Sequence, residues 1–260
     1  ETTRLHLVYD AWNRLVAAKN DNGGSPRSTI ATYSYDGKAR RIRKAINGGD
    51  TFDYYNDGYQ LLEVRKNADT DPLEQYVWDI SYIDAPLVRW HDLDTDGTVD
   101  DVLYPTRDAN FNVTGLFEED GTLVMRYRYW AYGRRTWTDY GEAEYEWTLG
   151  HQGLKHDTET NLVYNRARML HTTLGRFLQR DPAGYVDGMS LYQSRRSNAM
   201  ANADPTGHYG GDGGHFMQYC TKCGYWQPRG HNCDTPKTVF QRCSRAARLD
   251  GVKGAVANCC

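Results

Sequence analysis

Tyr55-Asn56-Asp57-Gly58-Tyr59-Gln60-Leu61-Leu62-Glu63-Val64 reads as the turn and returning arm of a β-hairpin. Asn and Asp bond to nearby backbone and tolerate left-handed conformation, and Asp-Gly between alternating segments is a strong hairpin signal. Related units, an aromatic residue followed by Asp or Asn and a polar turn, stand at Tyr9-Asp10, Tyr35-Asp36 and Trp78-Asp79. Tyr129-Trp130-Ala131-Tyr132-Gly133 is a looser member. Intervals of roughly 20 to 27 residues signal a repeat architecture. Alternating segments such as Arg14-Leu15-Val16 follow the turns, so residues 1–149 are expected to be a mainly β ribbon of antiparallel hairpins. Twenty Tyr and seven Trp against six Phe suit strand surfaces with solvent near both faces.

The net charge of −3 over 260 residues hides an asymmetry. Residues 209–260 hold seven Lys or Arg against three Asp, a charge of +4, which leaves −7 on residues 1–208. All six Cys also lie after residue 209. A thiol-free body joined to a basic, cysteine-rich tail marks a boundary. The organisation expected is therefore repeats over 1–149, a specialised closing segment over 150–208, a Gly-rich linker over 209–219 and a tail over 220–260. No apolar run approaches the roughly 20 residues of a membrane helix. The sequence opens in mid-pattern at Glu1-Thr2-Thr3-Arg4-Leu5, without an initiator Met or a signal peptide, as a piece of a longer protein would.

In the tail, Cys220, Cys223, His231 and Cys233 have the spacing of a tetrahedral zinc site, with Cys243 as the alternative fourth ligand. The rival reading, from the even count of six cysteines, is a disulfide-stapled microdomain, and Cys259-Cys260 fits neither scheme. Residues Thr238 to Leu249 read as an amphipathic helix with Arg242, Arg245 and Arg248 on its polar side. Between the repeats, Asp92, Asp94, Asp96 and Asp100 with Gly97 match the first nine positions of a calcium loop. Leu103 stands where the closing bidentate Glu belongs, so the alternatives are a weak calcium site and a solvated acidic loop.

The closing segment carries two matched turns, Asp181-Pro182-Ala183-Gly184 and Asp204-Pro205-Thr206-Gly207, after a run holding Arg166, Arg168, Arg176 and Arg180. Tyr9-Asp10-Ala11-Trp12-Asn13-Arg14-Leu15 resembles the tyrosine-aspartate (YD) repeat of Rhs proteins, toxin-complex C components and teneurins. Residues 104–132 and Gly150-His151-Gln152-Gly153 extend the resemblance, and residues 159–207 resemble the Rhs repeat-associated core. It covers about residues 1–207. The resemblance implies repeats wound into a β-shell, with the core plugging one end. The chain itself holds about six repeats, too few to close a container, and is expected to be a strip with an exposed edge.

The resemblance further implies an intramolecular aspartyl protease that frees the downstream chain and requires no cofactor. Its pair would be Asp181 and Asp204, its arginine Arg168 ahead of Arg176 and Arg180, and its cleavage site Gly207 or His208. Two carboxylates brought together cannot both ionise cheaply, so one keeps a proton while the other activates water. The family usually places an apolar residue where His208 stands, and the alternative is that both motifs are rigid turns in a non-cleaving cell-surface or adhesion scaffold. By the same resemblance the chain is exported, extracellular or at a cell surface. Its partners would be the rest of its own shell and, for the tail, an immunity protein or nucleic acid, the positive charge favouring the latter.

Overall fold

A computed structural model describes residues 4–21, 23, 26–139, 145–185, 188–199 and 202–208, and the backbone of 211–212, 217–220 and 225–228. The chain divides into two compact units, 1–214 and 215–260. No helix among the described residues is long and apolar enough to cross a membrane.

The first unit is built on twelve antiparallel strands in chain order. They are β1 (Leu5–Tyr9), β2 (Leu15–Asn20), β3 (Thr29–Tyr35), β4 (Arg41–Ile46), β5 (Thr51–Asp57) and β6 (Gln60–Lys66). Then come β7 (Glu74–Trp78), β8 (Pro86–His91), β9 (Asp101–Arg107), β10 (Val113–Phe117), β11 (Leu123–Tyr129) and β12 (Arg135–Asp139). Each strand pairs only with its sequence neighbours, so β1 and β12 end the sheet.

The aspartate of the repeat builds the turn from its own side chain. Asp10 Oδ1 accepts the amides of Trp12 at 3.0 Å and Arg14 at 2.9 Å, and Arg14 Nε returns to Asp10 Oδ2 at 2.7 Å. Asp36 repeats this with Lys38 and Arg40, and Asp108 with Asn110 and Asn112. One residue of each loop is left-handed: Asn13, Ala39 and Phe111. Gly37 is not, so Asp36-Gly37 makes its hairpin through the carboxylate rather than through the glycine. At Trp130 no aspartate is present. The same backbone bond closes the loop, from Trp130 N to Arg134 O at 3.0 Å, with Gly133 at φ 87° in the left-handed place.

A second sheet of four antiparallel strands follows: β13 (Lys155–Asp157), β14 (Leu162–Asn165), β15 (Arg168–His171) and β16 (Arg176–Phe177). Its Leu162 and Met169 pack with Leu15, Ala18, Ala31 and Tyr33 of the repeats, while Leu154, Val163, Leu170 and Phe177 form its own core. Buried charge fixes the register of this contact. Arg41 reaches Asp157 at 2.7 and 2.9 Å with both side chains at most 1% exposed, and lies between the rings of Tyr33 and Tyr164. Lys44 pairs with Glu159 at 3.1 Å. Gly153, at φ 71°, sits so close to the carbonyl of Asp84 that a Cβ would overlap that oxygen, which fastens residues 151–153 to the β7–β8 loop.

Asn202–Ala203 (β17) pairs with Gly211–Asp212 (β18), so part of the expected linker lies in a short ladder. In the second unit Met217–Cys220 (β19) pairs with Tyr225–Pro228 (β20), which brings Cys220 opposite Tyr225. The expected ligands Cys223, His231, Cys233 and Cys243, with Cys259, Cys260 and the expected helix over 238–249, lie outside the described residues.

Removing one member of a buried ion pair strands the other in a low-dielectric interior, whereas replacing both by apolar groups is tolerated. Arg41→Met is therefore expected to lower unfolding stability by about 3 kcal/mol, at the low end because Lys44 remains 3.9 Å from Asp157. Arg41→Met with Asp157→Leu should recover most of that loss, as read from urea unfolding midpoints.

Candidate active site

Two turns and the start of a strand bring the site together. β15 opens with Arg168, whose guanidinium is 1% exposed and lies 3.8 Å from the centre of the Phe177 ring. Its Nη1 meets Asp181 Oδ2 at 2.7 Å and its Nη2 meets Asp204 Oδ2 at 3.3 Å. Its Nε donates to the carbonyl oxygen of Gly207. One planar cation thus touches both carboxylates and the peptide bond that follows the second turn, a geometry that a guanidinium fork supports and an ammonium does not.

Each aspartate is held by the turn it starts. Asp181 Oδ1 accepts the Ala183 amide at 2.8 Å, and Asp204 Oδ1 accepts the Gly207 amide at 2.9 Å. The prolines at 182 and 205 set φ for these turns. Gly207 is left-handed at φ 72°, and a Cβ there would collide with the carbonyl oxygen of Asn165. The close passage of residues 204–207 beside β14 and β15 therefore needs glycine at this position. Thr206 Oγ1 donates to Asp204 Oδ1 at 3.4 Å and accepts the His208 amide at 3.3 Å. Arg166 adds a staple, bonding both oxygens of Asp84 and the carbonyls of Pro205 and, at 3.0 Å, Tyr59.

Burial raises the pKa of Asp204 to about 6 against the pull of Arg168, Arg195 and the Gly207 amide, with Asp181 adding to the rise. Burial also lowers Arg168 from the usual arginine value, opposed by the two carboxylates. A carboxyl that titrates near neutrality, beside a polarised carbonyl, is equipped for general acid–base work. A cavity of about 130 Å³ is lined by Thr206 and His208 together with Lys155, Tyr54, Trp78 and Arg166.

Asp181, Asp204, Arg168, Gly207 and His208 therefore stand together. Arg176 instead lies over the ring of Tyr192, and Arg180 offers its carbonyl to Asn13. Asp84, Thr206 and Arg195 carry no motif that spacing would reveal; Thr206 occupies the variable position of its turn. In the acidic loop, Asp92, Asp94 and Asp100 present carboxylate oxygens within 4.8 Å of one another, and Asp96 is not among them. Asp92 spends both oxygens on the amides of Asp96 and Gly97.

No family model matches the sequence. Among curated proteins, it is 28% identical over 216 residues to the tRNA3(Ser)-specific nuclease WapA of Bacillus spizizenii, covering 79% of this chain and 8% of that protein. It is 31% identical over 195 residues to the toxin subunit YenC2 of Yersinia entomophaga, covering 71% of this chain and 20% of that protein. A probable deoxyribonuclease, RhsA of Dickeya dadantii, is 27% identical over 204 residues, covering 76% of this chain and 13% of that protein. The crystal structure of TcdB2-TccC3 shares the fold with a TM-score of 0.62 at 22% identity, over 78% of this chain and 10% of that one. The chain spans a fifth or less of the length of these relatives. With these relatives and this repeat sheet, the chain belongs to the Rhs and toxin-complex family of YD-repeat proteins and carries the repeat-associated core.

Proposed function

We propose that this segment closes an Rhs-type toxin shell and hydrolyses its own Gly207–His208 peptide bond, freeing the chain beyond it. One observation carries the reading: Arg168 forms ion pairs with both Asp181 and Asp204 and donates to the carbonyl of Gly207. In the reaction Asp204, ionised, takes a proton from a water molecule as the oxygen adds to the Gly207 carbonyl carbon. Arg168 stabilises the negative charge that develops on the carbonyl oxygen. The Thr206 hydroxyl lies between Asp204 and the departing nitrogen, so the proton passes through it to His208 as the C–N bond breaks. Water is consumed, and a Gly207 carboxyl and a His208 amine remain. The names of the relatives, nucleases and toxin subunits, support a toxic or nucleic-acid-directed role for the freed chain. Export and an immunity partner belong to the same reading.

The alternative is a non-cleaving scaffold, favoured by one feature: the carboxylates share a cation rather than a proton, as in a purely structural clamp. Intact mass separates the two. The wild-type chain should give two species split at Gly207–His208, while Asp204→Asn, Asp181→Asn and Arg168→Met should each remain whole. A single whole species in all four would leave the scaffold.

Cleavage should also depend on pH in a stated direction. A base with a pKa of about 6 is inactive when protonated, so the rate should climb with pH through about 6 and level off above it. Translated chain quenched in urea and diluted into buffers across that range gives the profile. For the freed chain, Cys220, Cys223, His231 and Cys233 are proposed to hold one zinc ion. Metal analysis of the isolated product should show one zinc per chain, lost when Cys220 and Cys223 are both replaced by Ser.

A further inference from the structure

Four of the large buried cations of this fold have carboxylate partners. Arg41 has Asp157, Arg89 has Glu74 and Asp101, Arg166 has Asp84, and Arg168 has Asp181 and Asp204. Arg195 has none among the described residues. It is 1% exposed, yet its Nε, Nη1 and Nη2 all lack a hydrogen-bond partner among the described residues. A guanidinium stripped of water and given no acceptor is costly, and such groups are rare unless they act on something nearby.

The backbone under it is unusual as well. Arg195, Arg196 and Ser197 are left-handed in succession, at φ 51°, 51° and 59°. Non-glycine residues seldom enter this region even singly, and such strain persists where the surroundings over-determine it. Here they do. Ser197 N bonds Ser194 O at 2.9 Å, and Asn198 N bonds Arg195 O at 2.9 Å. The Asn202 side chain donates to Arg195 O at 3.1 Å, and Gln152 Nε2 donates to Asn202 O at 3.1 Å. The turn is thereby tied to the strand that leads directly into Asp204.

Arg195 interacts electrostatically with Asp204, Tyr82, Tyr132 and His151. Burial holds His151 well below the ordinary imidazole value and Tyr82 well above the ordinary phenol value, so neither carries charge near neutrality. Asp204 is the one carboxylate of the set. Asp204 in turn interacts with Arg168, Arg195, Asp181, Tyr82 and the Gly207 amide, and Arg168 divides its charge between two carboxylates and a carbonyl. A second, undivided positive charge is what keeps a deeply buried carboxyl ionised.

We propose that Arg195 is a positioning residue of the self-cleavage site, its unpaired guanidinium holding Asp204 in the carboxylate form that takes the proton from water. This rests on the function proposed above, but its test does not need cleavage to occur. In the full chain carrying Asp181→Asn, the carboxyl carbon of Asp204 is titrated by ¹³C NMR, its signal assigned by loss in Asp204→Asn. Adding Arg195→Met should raise the Asp204 midpoint by about one pH unit, and Arg195→Lys should return it. If Arg195→Met does not fold, Arg195→Gln, neutral and polar, is titrated in its place. With Asp181 intact, the cleavage profile of the neutral variant should move to higher pH by the same amount, so the rate at the wild-type midpoint falls several-fold.

An unmoved Asp204 midpoint in a folded neutral variant would overturn the proposal and leave Arg195 a strained structural residue. A wild-type chain that never cuts, with the midpoint moved as expected, would overturn the proposed reaction while upholding the Arg195–Asp204 coupling.

Discussion

Burying a guanidinium without cost calls for acceptors to replace its water, and, Arg195 apart, that constraint runs through the buried contacts of this protein. Arg168 can lose its solvent only because two turns and a carbonyl converge on it. Arg41 does the same between the sheets with Asp157, and Arg166 does it between Asp84 and the last turn. Each of these contacts joins segments far apart in the chain. Buried charge of this kind contributes little net stability but penalises every other register, since a slipped pair strands a charge in the interior. The apolar residues then fill the space the ion pairs have defined: Leu162 and Met169 meet Leu15 and Tyr33 beside Arg41.

The same principle separates structure from chemistry at the site. Asp157 is fully buried against an arginine and ties the two sheets together. Asp204 is as deeply buried, but its cation is shared with Asp181 and with a peptide carbonyl, and its proton affinity rises into the neutral range. Burial is the main cause of that rise, and the cations around Asp204 oppose it.

The repeats were legible because their information is local. An aspartate that accepts the amides two and four residues ahead makes a hairpin without reference to the rest of the chain, so Tyr9-Asp10 and Tyr35-Asp36 could be read directly. The pairing of Asp181 with Asp204 and the choice of Arg168 rest on the resemblance of residues 159–207 to the Rhs repeat-associated core rather than on any local rule. Arg195 and Asp84 were not legible. Their importance comes from what they fail to meet, or meet across about 80 residues, and a sequence shows neither. Gly37 illustrates a subtler loss: Asp-Gly signals a turn through its glycine, but the backbone here uses the carboxylate and puts Ala39 in the left-handed place.

The strand order, each one beside its predecessor, has a consequence for synthesis. Hairpins that pair only with neighbours have low contact order and can form as soon as they are made, one after another. The second sheet is different: it rests on Leu15, Ala18, Ala31, Tyr33, Arg41 and Lys44, residues laid down more than a hundred positions earlier. Asp204 enters only after that sheet, and the cation that meets it comes from within the sheet. The acid–base centre is therefore the last part of the body to exist, assembled only on a scaffold already complete, so its appearance times any reaction there to the end of folding.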